Sequence, residues 1–289
     1  MDNYREINLD EWQAVGEGAI AITYVSEDGD TLLKLNKMTA NEHMVLNEYN
    51  RSKSVASLGI ATPAVYEVVR SGDKLGILFQ NIKHKKSYSR LIADNPEKIE
   101  EYTRAFAAKC KELHATPCNV ELFEGRTEVL RKSIDNAKFI NKFKPELYKI
   151  VDGMADITTC LHGDMQTGNL IDADGTDYWI DFDKFSYGDP IIDIAHMYTI
   201  YVGMSWFFFV QNIVHMRKKL LNEFWYIFMR EYYGFNKEET DNFNKRLKIY
   251  NAIELLQKNY THPGIYADLI TLLLARPAIK QYCKNRIKA

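Results

Sequence analysis

Paired cysteines are missing from this chain. Its four cysteines, Cys110, Cys118, Cys160 and Cys283, stand far apart with no Cys-x-x-Cys spacing. That excludes a disulfide framework or a zinc ribbon and leaves free thiols, buried or partly buried, in a reducing compartment. A basic excess is missing too. Lys and Arg number 37 against 39 Asp and Glu, a formal charge of −2, so the composition calls for no nucleic-acid partner. The opening Met-Asp-Asn-Tyr-Arg-Glu is charged and leads into no apolar export segment. There is no internal repeat and no low-complexity tract. One uncharged run, Met197 to Val214, contains Trp206-Phe207-Phe208-Phe209-Val210. It stands alone and is interrupted by Thr199, Gly203, Ser205, Gln211 and Asn212, so it reads as a buried helix rather than a membrane span. The expectation is a soluble, cytoplasmic protein without a membrane partner, its oligomeric state unknown.

What is present is ordinary globular material. The chain has 289 residues, 46% hydrophobic and 26% charged, enough to bury a substantial core in one large or two modest lobes. Its most informative stretch is Leu161-His162-Gly163-Asp164-Met165-Gln166-Thr167-Gly168-Asn169-Leu170-Ile171, followed by Trp179-Ile180-Asp181-Phe182-Asp183. Asp164 and Asn169 lie in a turn-prone, glycine-bearing segment between short apolar runs, where a loop held by strands presents polar side chains. The runs on either side of Asp174-Gly175 predict a hairpin that brings Asp181 back towards Asn169. A proton acceptor, an amide oxygen and a carboxylate are thereby gathered, a set suited to a hard cation such as Mg²⁺.

The pattern His-x-Asp, four residues, Asn, then Asp resembles the catalytic loop and metal-binding Asp of protein-kinase-like proteins. The His-Gly-Asp form, with the continuation Tyr187-Gly188-Asp189-Pro190-Ile191-Ile192-Asp193-Ile194-Ala195, is similar to the aminoglycoside phosphotransferase and choline kinase branch. The resemblance implies an α+β fold of two lobes. Residues 1–82 would form a small antiparallel-sheet N-lobe, and residues 83–289 a helical C-lobe carrying the catalytic loop and the acceptor pocket.

It also implies roles. Asp164 would orient the acceptor hydroxyl and take its proton, and Asn169 and Asp181 would hold Mg²⁺ on the phosphates of ATP, with GTP an open alternative. Lys34, in the strand Thr31–Leu35, would grip the α- and β-phosphates, braced by Glu48. Glu42 competes for that bracing role, but with Thr39 it already forms a capping box at the helix start. Gly16 and Gly18 would close over the nucleotide, although the third glycine of a kinase loop is absent and a strand bulge explains the pair locally. The segment Phe79 to Ile82 would meet adenine through its main chain, at Gln80 and Ile82. His162 reads as a loop-shaping hydrogen-bond partner rather than a base, and His114 as a packing residue. Asp189 and Asp193 read as fixing loop and helix starts. Asp183 reads either as a second metal-facing carboxylate or as a turn residue.

Beyond Pro190 the pattern is helical and aromatic, mostly core, with some rings free to line an acceptor pocket. Glu223, Glu231 or Asp268 could meet an amino group. The reading is transfer of the γ-phosphoryl group to a hydroxyl of a small molecule, whether aminoglycoside, choline-like amino-alcohol or sugar. The missing activation segment between Asp181 and Gly188 argues against a protein acceptor. The alternative is a nucleotide-binding pseudoenzyme acting as a regulatory or interaction module.

Overall fold

A computed structural model describes residues 4–17, 20–37, 42–154, 157–261 and 263–286. Its internal contacts divide the chain into two compact units, Met1–Tyr88 with Asn169–Asp183, and Ser89–Gly168 with Lys184–Ala289. The first is rich in antiparallel sheet and the second is mostly helical, so the fold class is α+β. The first unit extends past residue 82 to Tyr88 and takes back a later segment of the chain, Asn169–Asp183.

The first unit is built on a six-stranded sheet: β1 (Arg5–Glu6), β2 (Trp12–Glu17), β3 (Ala21–Ser26), β4 (Thr31–Asn36), β5 (Val65–Ser71) and β6 (Lys74–Gln80). The strand order is β1-β5-β6-β4-β3-β2, with β1 parallel to β5 and every other neighbour antiparallel. Strand alternation decides where Lys34 goes. In β4, Leu33 and Leu35 are buried on one face with Ile7, Val69 and Leu78. Lys34 therefore points to the other face, where Ile77, its cross-strand partner, packs with Val45 of the helix α1 (Glu42–Ser57). Burying Val45 and Val55 of α1 stabilises its docking by roughly 1.5–3 kcal/mol each. Just beyond its end Gly59 takes φ +78, a left-handed stop that L side chains resist. Thr39, proposed to cap this helix, lies outside the described residues.

The returning segment forms the predicted hairpin, Leu170–Ala173 paired with Thr176–Trp179. Asp174 (φ 51) and Gly175 (φ 84) are both left-handed, as a two-residue type I′ turn demands. A third short strand, Lys86–Ser87, pairs with its first strand, and Ile82, Ile171 and Ala173 form its core.

In the second unit the helix Ile99–Ala115 packs on Lys218–Tyr233, with Phe106 set 5.8 Å from the ring of Phe224 and 6.0 Å from that of Phe228. The helix Ile191–Tyr198 packs on Lys237–Leu255. A 3-10 turn over Pro96–Lys98 precedes the helix Ile99–Ala115, and the side-chain amide of Asn95 donates to Leu91 O. One expectation is corrected here. Met197 to Val214 is not one buried helix. A π-turn at Thr199–Gly203 and a break at Met204–Phe207 leave only the short helix Phe208–Ile213. The rings of Trp206 and Phe208, both 62% exposed, face solvent. Among the described residues no helix is long and apolar enough to cross a membrane.

Candidate active site

The candidate site residues fall into two groups, one in each unit. In the first unit Lys34 Nζ lies 2.6 Å from Glu48 Oε1 and 3.8 Å from Asp181 Oδ1. Burial works against the charge on Lys34, but Glu48, Asp181 and Asp183 outweigh it and hold the ammonium above its ordinary range. Burial pushes the Glu48 carboxyl up, and Lys34 opposes that push. Glu42 is occupied elsewhere, accepting the Tyr4 hydroxyl at 2.6 Å. Asn169 is buried at the foot of the hairpin, and its carbonyl accepts the Ile180 amide at 3.0 Å. This closing bond makes Asp181 a near neighbour of Asn169 along the backbone. Asp181 holds φ +65, an uncommon and strained conformation for a residue with a Cβ, and its side chain is 45% exposed.

Among the described residues no group of three or more His, Cys, Asp or Glu side chains gathers as a metal site. Mg²⁺ does not require one. It keeps several waters and is commonly held by one or two protein oxygens together with phosphates, which the oxygen donors of Asn169 and Asp181 fit.

In the second unit the loop carrying Asp164 is held by one buried carboxylate. Asp193, fully buried near the start of the helix Ile191–Tyr198, accepts the His162 amide on Oδ2 and the Gly163 amide on Oδ1, each at 2.8 Å. His114 Nε2 donates to the same Oδ2 at 3.1 Å, and its Nδ1 meets the Tyr232 hydroxyl at 2.6 Å. His114 is thus a buried hydrogen-bonding residue as well as a packing one. Asp189 Oδ1 accepts the Ile191 amide and starts the helix. His162 accepts the Asp164 amide on Nδ1 at 3.3 Å, shaping the loop from within. Gly163 sits at φ +78 with the Lys184 carbonyl 2.1 Å from where a Cβ would stand, so no other residue fits. Downstream, Thr167 takes its amide to the Tyr201 hydroxyl at 2.9 Å, and its own hydroxyl meets Ser89 Oγ at 2.7 Å.

Asp164 itself is mostly buried among cations. His196 Nε2 lies 2.8 Å from its Oδ1 and Lys184 Nζ lies 3.4 Å away. Burial would raise its carboxyl, but His196 and Lys184 outweigh that and hold it well below the usual range. His196 has a second carboxylate on the far side of its ring, Glu254 Oε1 at 3.0 Å from Nδ1. Burial disfavours the imidazolium, yet Glu254 and Asp164 prevail and push it up to about 10. Arg126, fully buried, stands 3.6 Å behind Glu254.

The glycine and hinge residues are less telling. Gly16 sits at a bulge between β2 and β3, where Thr23 Oγ1 donates to its carbonyl at 3.1 Å and would stand 2.7 Å from a Cβ. Gly18 lies outside the described residues. The Gln80 amide is spent on Ala64 O at 2.8 Å, and Ile82 is buried beside the hairpin. Of the acids offered for an amino group, Glu231 pairs with Arg230 and Asp268 with Lys138.

His196, Glu254, Lys184 and Tyr201 were not anticipated. The only signal was His196 itself, the one basic residue in the apolar run Ile191–Tyr198, three residues after Asp193 and so on its helix face.

Comparison with known proteins bears on the fold and the family. The model of the phosphotransferase enzyme family matches residues 11–218. Among solved structures, the chain is similar to the amicoumacin kinase hAmiN in complex with AMP-PNP, Ca²⁺ and its ligand Ami, at 13% identity and TM-score 0.56, covering 96% of this chain and 90% of that one. It is similar to a choline/ethanolamine kinase family protein from Mesorhizobium loti, at 16% identity and TM-score 0.54, covering 96% and 88%. It is also similar to a thermostable mutant of aminoglycoside phosphotransferase APH(4)-Ia with ADP and hygromycin B, at 10% identity and TM-score 0.60, covering 93% of both chains. No curated protein matches by sequence. Identities this low speak for the fold alone, but the family model spans well over half of the chain, and the chain belongs to the phosphotransferase enzyme family.

Proposed function

We propose that this protein transfers the γ-phosphoryl group of ATP to a hydroxyl of a small molecule, an aminoglycoside, a choline-like amino-alcohol or a sugar. The observation that carries the reading is Asp164. It is a carboxylate kept ionised by neighbouring cations, on a loop fixed through Asp193, His162 and Gly163. In the transfer the bond from the γ-phosphorus to the bridging oxygen breaks, the acceptor oxygen bonds to phosphorus, and ADP leaves. Asp164 orients the acceptor hydroxyl and receives its proton. A carboxylate held so far below its usual range is a weak base, which suits a loose transition state where the proton leaves late. Asn169 and Asp181 would hold Mg²⁺, which when bound neutralises charge on the phosphates. Lys34, braced by Glu48, grips the α- and β-phosphates. Adenine is met by main-chain groups of the segment ending at Ile82 other than the Gln80 amide, and Gly16 and Gly18 would close over the nucleotide.

Lys34→Met is expected to raise the nucleotide KM about 10–100-fold, the worth of a charge-assisted hydrogen bond. Glu48→Gln should move it less in the same direction. Steady-state kinetics over a nucleotide series measures both.

The deciding experiment is nucleotide turnover with Mg²⁺, with and without pooled aminoglycosides, amino-alcohols and sugars. Stimulation by one pool names the acceptor class. Tight nucleotide binding without turnover across all pools would instead favour a regulatory module. Ami and hygromycin B, bound in two of the similar structures, are the first compounds to include.

A further inference from the structure

Asp164 is reached by a chain of charged side chains that the family pattern does not mention. His196 sits on the helix Ile191–Tyr198, one turn after Asp193, which holds the amides of His162 and Gly163. The same helix therefore fixes the catalytic loop twice, by its backbone through Asp193 and by its carboxylate through His196. The ring of His196 is pinned on its other nitrogen by Glu254, from the neighbouring helix Lys237–Leu255. Glu254 is backed by Arg126, whose guanidinium also donates to Gln257 Oε1 at 3.0 Å. Thr199, directly after the first helix, and Asn251 of the second are joined by a 2.6 Å hydrogen bond, a further tie between the elements that carry His196 and Glu254.

One geometric detail separates this from a simple structural pair. The His196 Nε2 approach to Asp164 Oδ1 is short, 2.8 Å, yet the nitrogen makes no aligned hydrogen bond there although it is buried. Buried polar groups are rarely left that way, and where they are, a function often holds them so.

We propose that His196, braced by Glu254, is a positioning residue that orients the Asp164 carboxylate towards the acceptor hydroxyl. The inference rests on the proposed phosphotransfer for its kinetic consequence and on the Asp164–His196–Glu254 geometry for its physical one. His196 touches neither nucleotide nor acceptor. Its loss lets Asp164 turn towards Lys184, whose Nζ lies 3.4 Å away, and away from its working direction.

The test has two arms. In the kinetic arm, His196→Gln should lower kcat about 10²-fold, the scale of a roughly 1 Å misplacement, with the nucleotide KM within about twofold. Glu254→Gln should act in the same direction, and the double variant should be no worse than His196→Gln alone, because both act through one ring. Glu254→Asp, which keeps the carboxylate, should recover part of the rate. His196→Gln with unchanged kcat, or additive losses in the double variant, would overturn the proposal.

The second arm needs no substrate. The imidazole ¹⁵N signals of His196 in the wild-type protein should report a charged ring at pH 8, where the facing groups are Asp164 and Glu254, with Lys184 and His162 beside Asp164 and Arg126 beside Glu254. Asp164→Asn should shift those signals. A neutral ring at pH 8, or signals indifferent to Asp164→Asn, would overturn the proposal. If the wild type turns over no acceptor, the function is wrong, and this arm still decides the positioning.

Discussion

Asp164→Asn is expected to lower turnover by about 10²–10⁴-fold while nucleotide binding stays within a few-fold of wild type. The substitution keeps the side chain's volume and one oxygen, so the loop has no cavity to collapse into. What disappears is the negative charge. His196 and Lys184 then face an amide, which neither orients the acceptor hydroxyl as strongly nor accepts its proton. Nucleotide binding is assigned to Lys34, Asn169 and Asp181, and the substitution touches none of them. Single-turnover rates together with a nucleotide dissociation constant separate the two quantities. Turnover within tenfold of wild type would show that Asp164 does not hold the acceptor.

The second large effect is on stability. Asp193→Ala removes an acceptor shared by the His162 amide, the Gly163 amide and His114 in a site with no solvent access. Three buried donors would lose their partner at once. The expected loss is about 3–5 kcal/mol, comparable to breaking a buried ion pair, or on the order of 10 °C in Tm. Asp193→Asn, which keeps one accepting oxygen, should lose clearly less. The pH dependence has a definite sign. Burial would raise the Asp193 carboxyl, but His114 and the Gly163 amide hold it below its ordinary value. Its contribution is therefore complete above the unfolded-state value of about 4 and lost as pH falls below that towards the folded value. Calorimetry of wild type and Asp193→Asn between pH 3 and 7 should show the difference narrowing at the acid end. A difference that stays constant would mean that Asp193 titrates alike in both states.

Much of this was legible in the sequence because the signals were local. Asp174-Gly175 between two apolar runs can be little else than a tight hairpin turn, and the turn dictates that Asp181 returns to Asn169. Alternation in Leu33-Lys34-Leu35 sets Lys34 on the face opposite the leucines, and Glu48 meets it from α1. The Asp189 and Asp193 contacts also followed from their places at a helix start. The unread parts depend on distant residues. Nothing near β1, two residues long, announces that it lies parallel to β5. His196 and Glu254 are 58 positions apart, and only the packing of two helices brings them together. Met197 to Val214 misled through composition. Its apolar residues suggested one buried helix, but the π-turn ends before Met204 and the rings of the next segment turn outwards. At Gly16 the bulge that the sequence already allowed is present, and it accounts for the glycine locally.

The hairpin that ends at Asp181 has an engineering consequence. Its tip, Asp174 and Gly175, is exposed and lies beyond the last paired residues, while the spacing of Asn169 and Asp181 is set at the opposite end by the ladder and the Ile180 bond. Extra chain spliced in at the tip leaves that ladder in register, whereas one residue added within either strand turns the side chains beyond it to the wrong face. The tip is thus a natural graft point for a fluorophore or an affinity handle, and the eight paired residues beneath it behave as a fixed-length spacer.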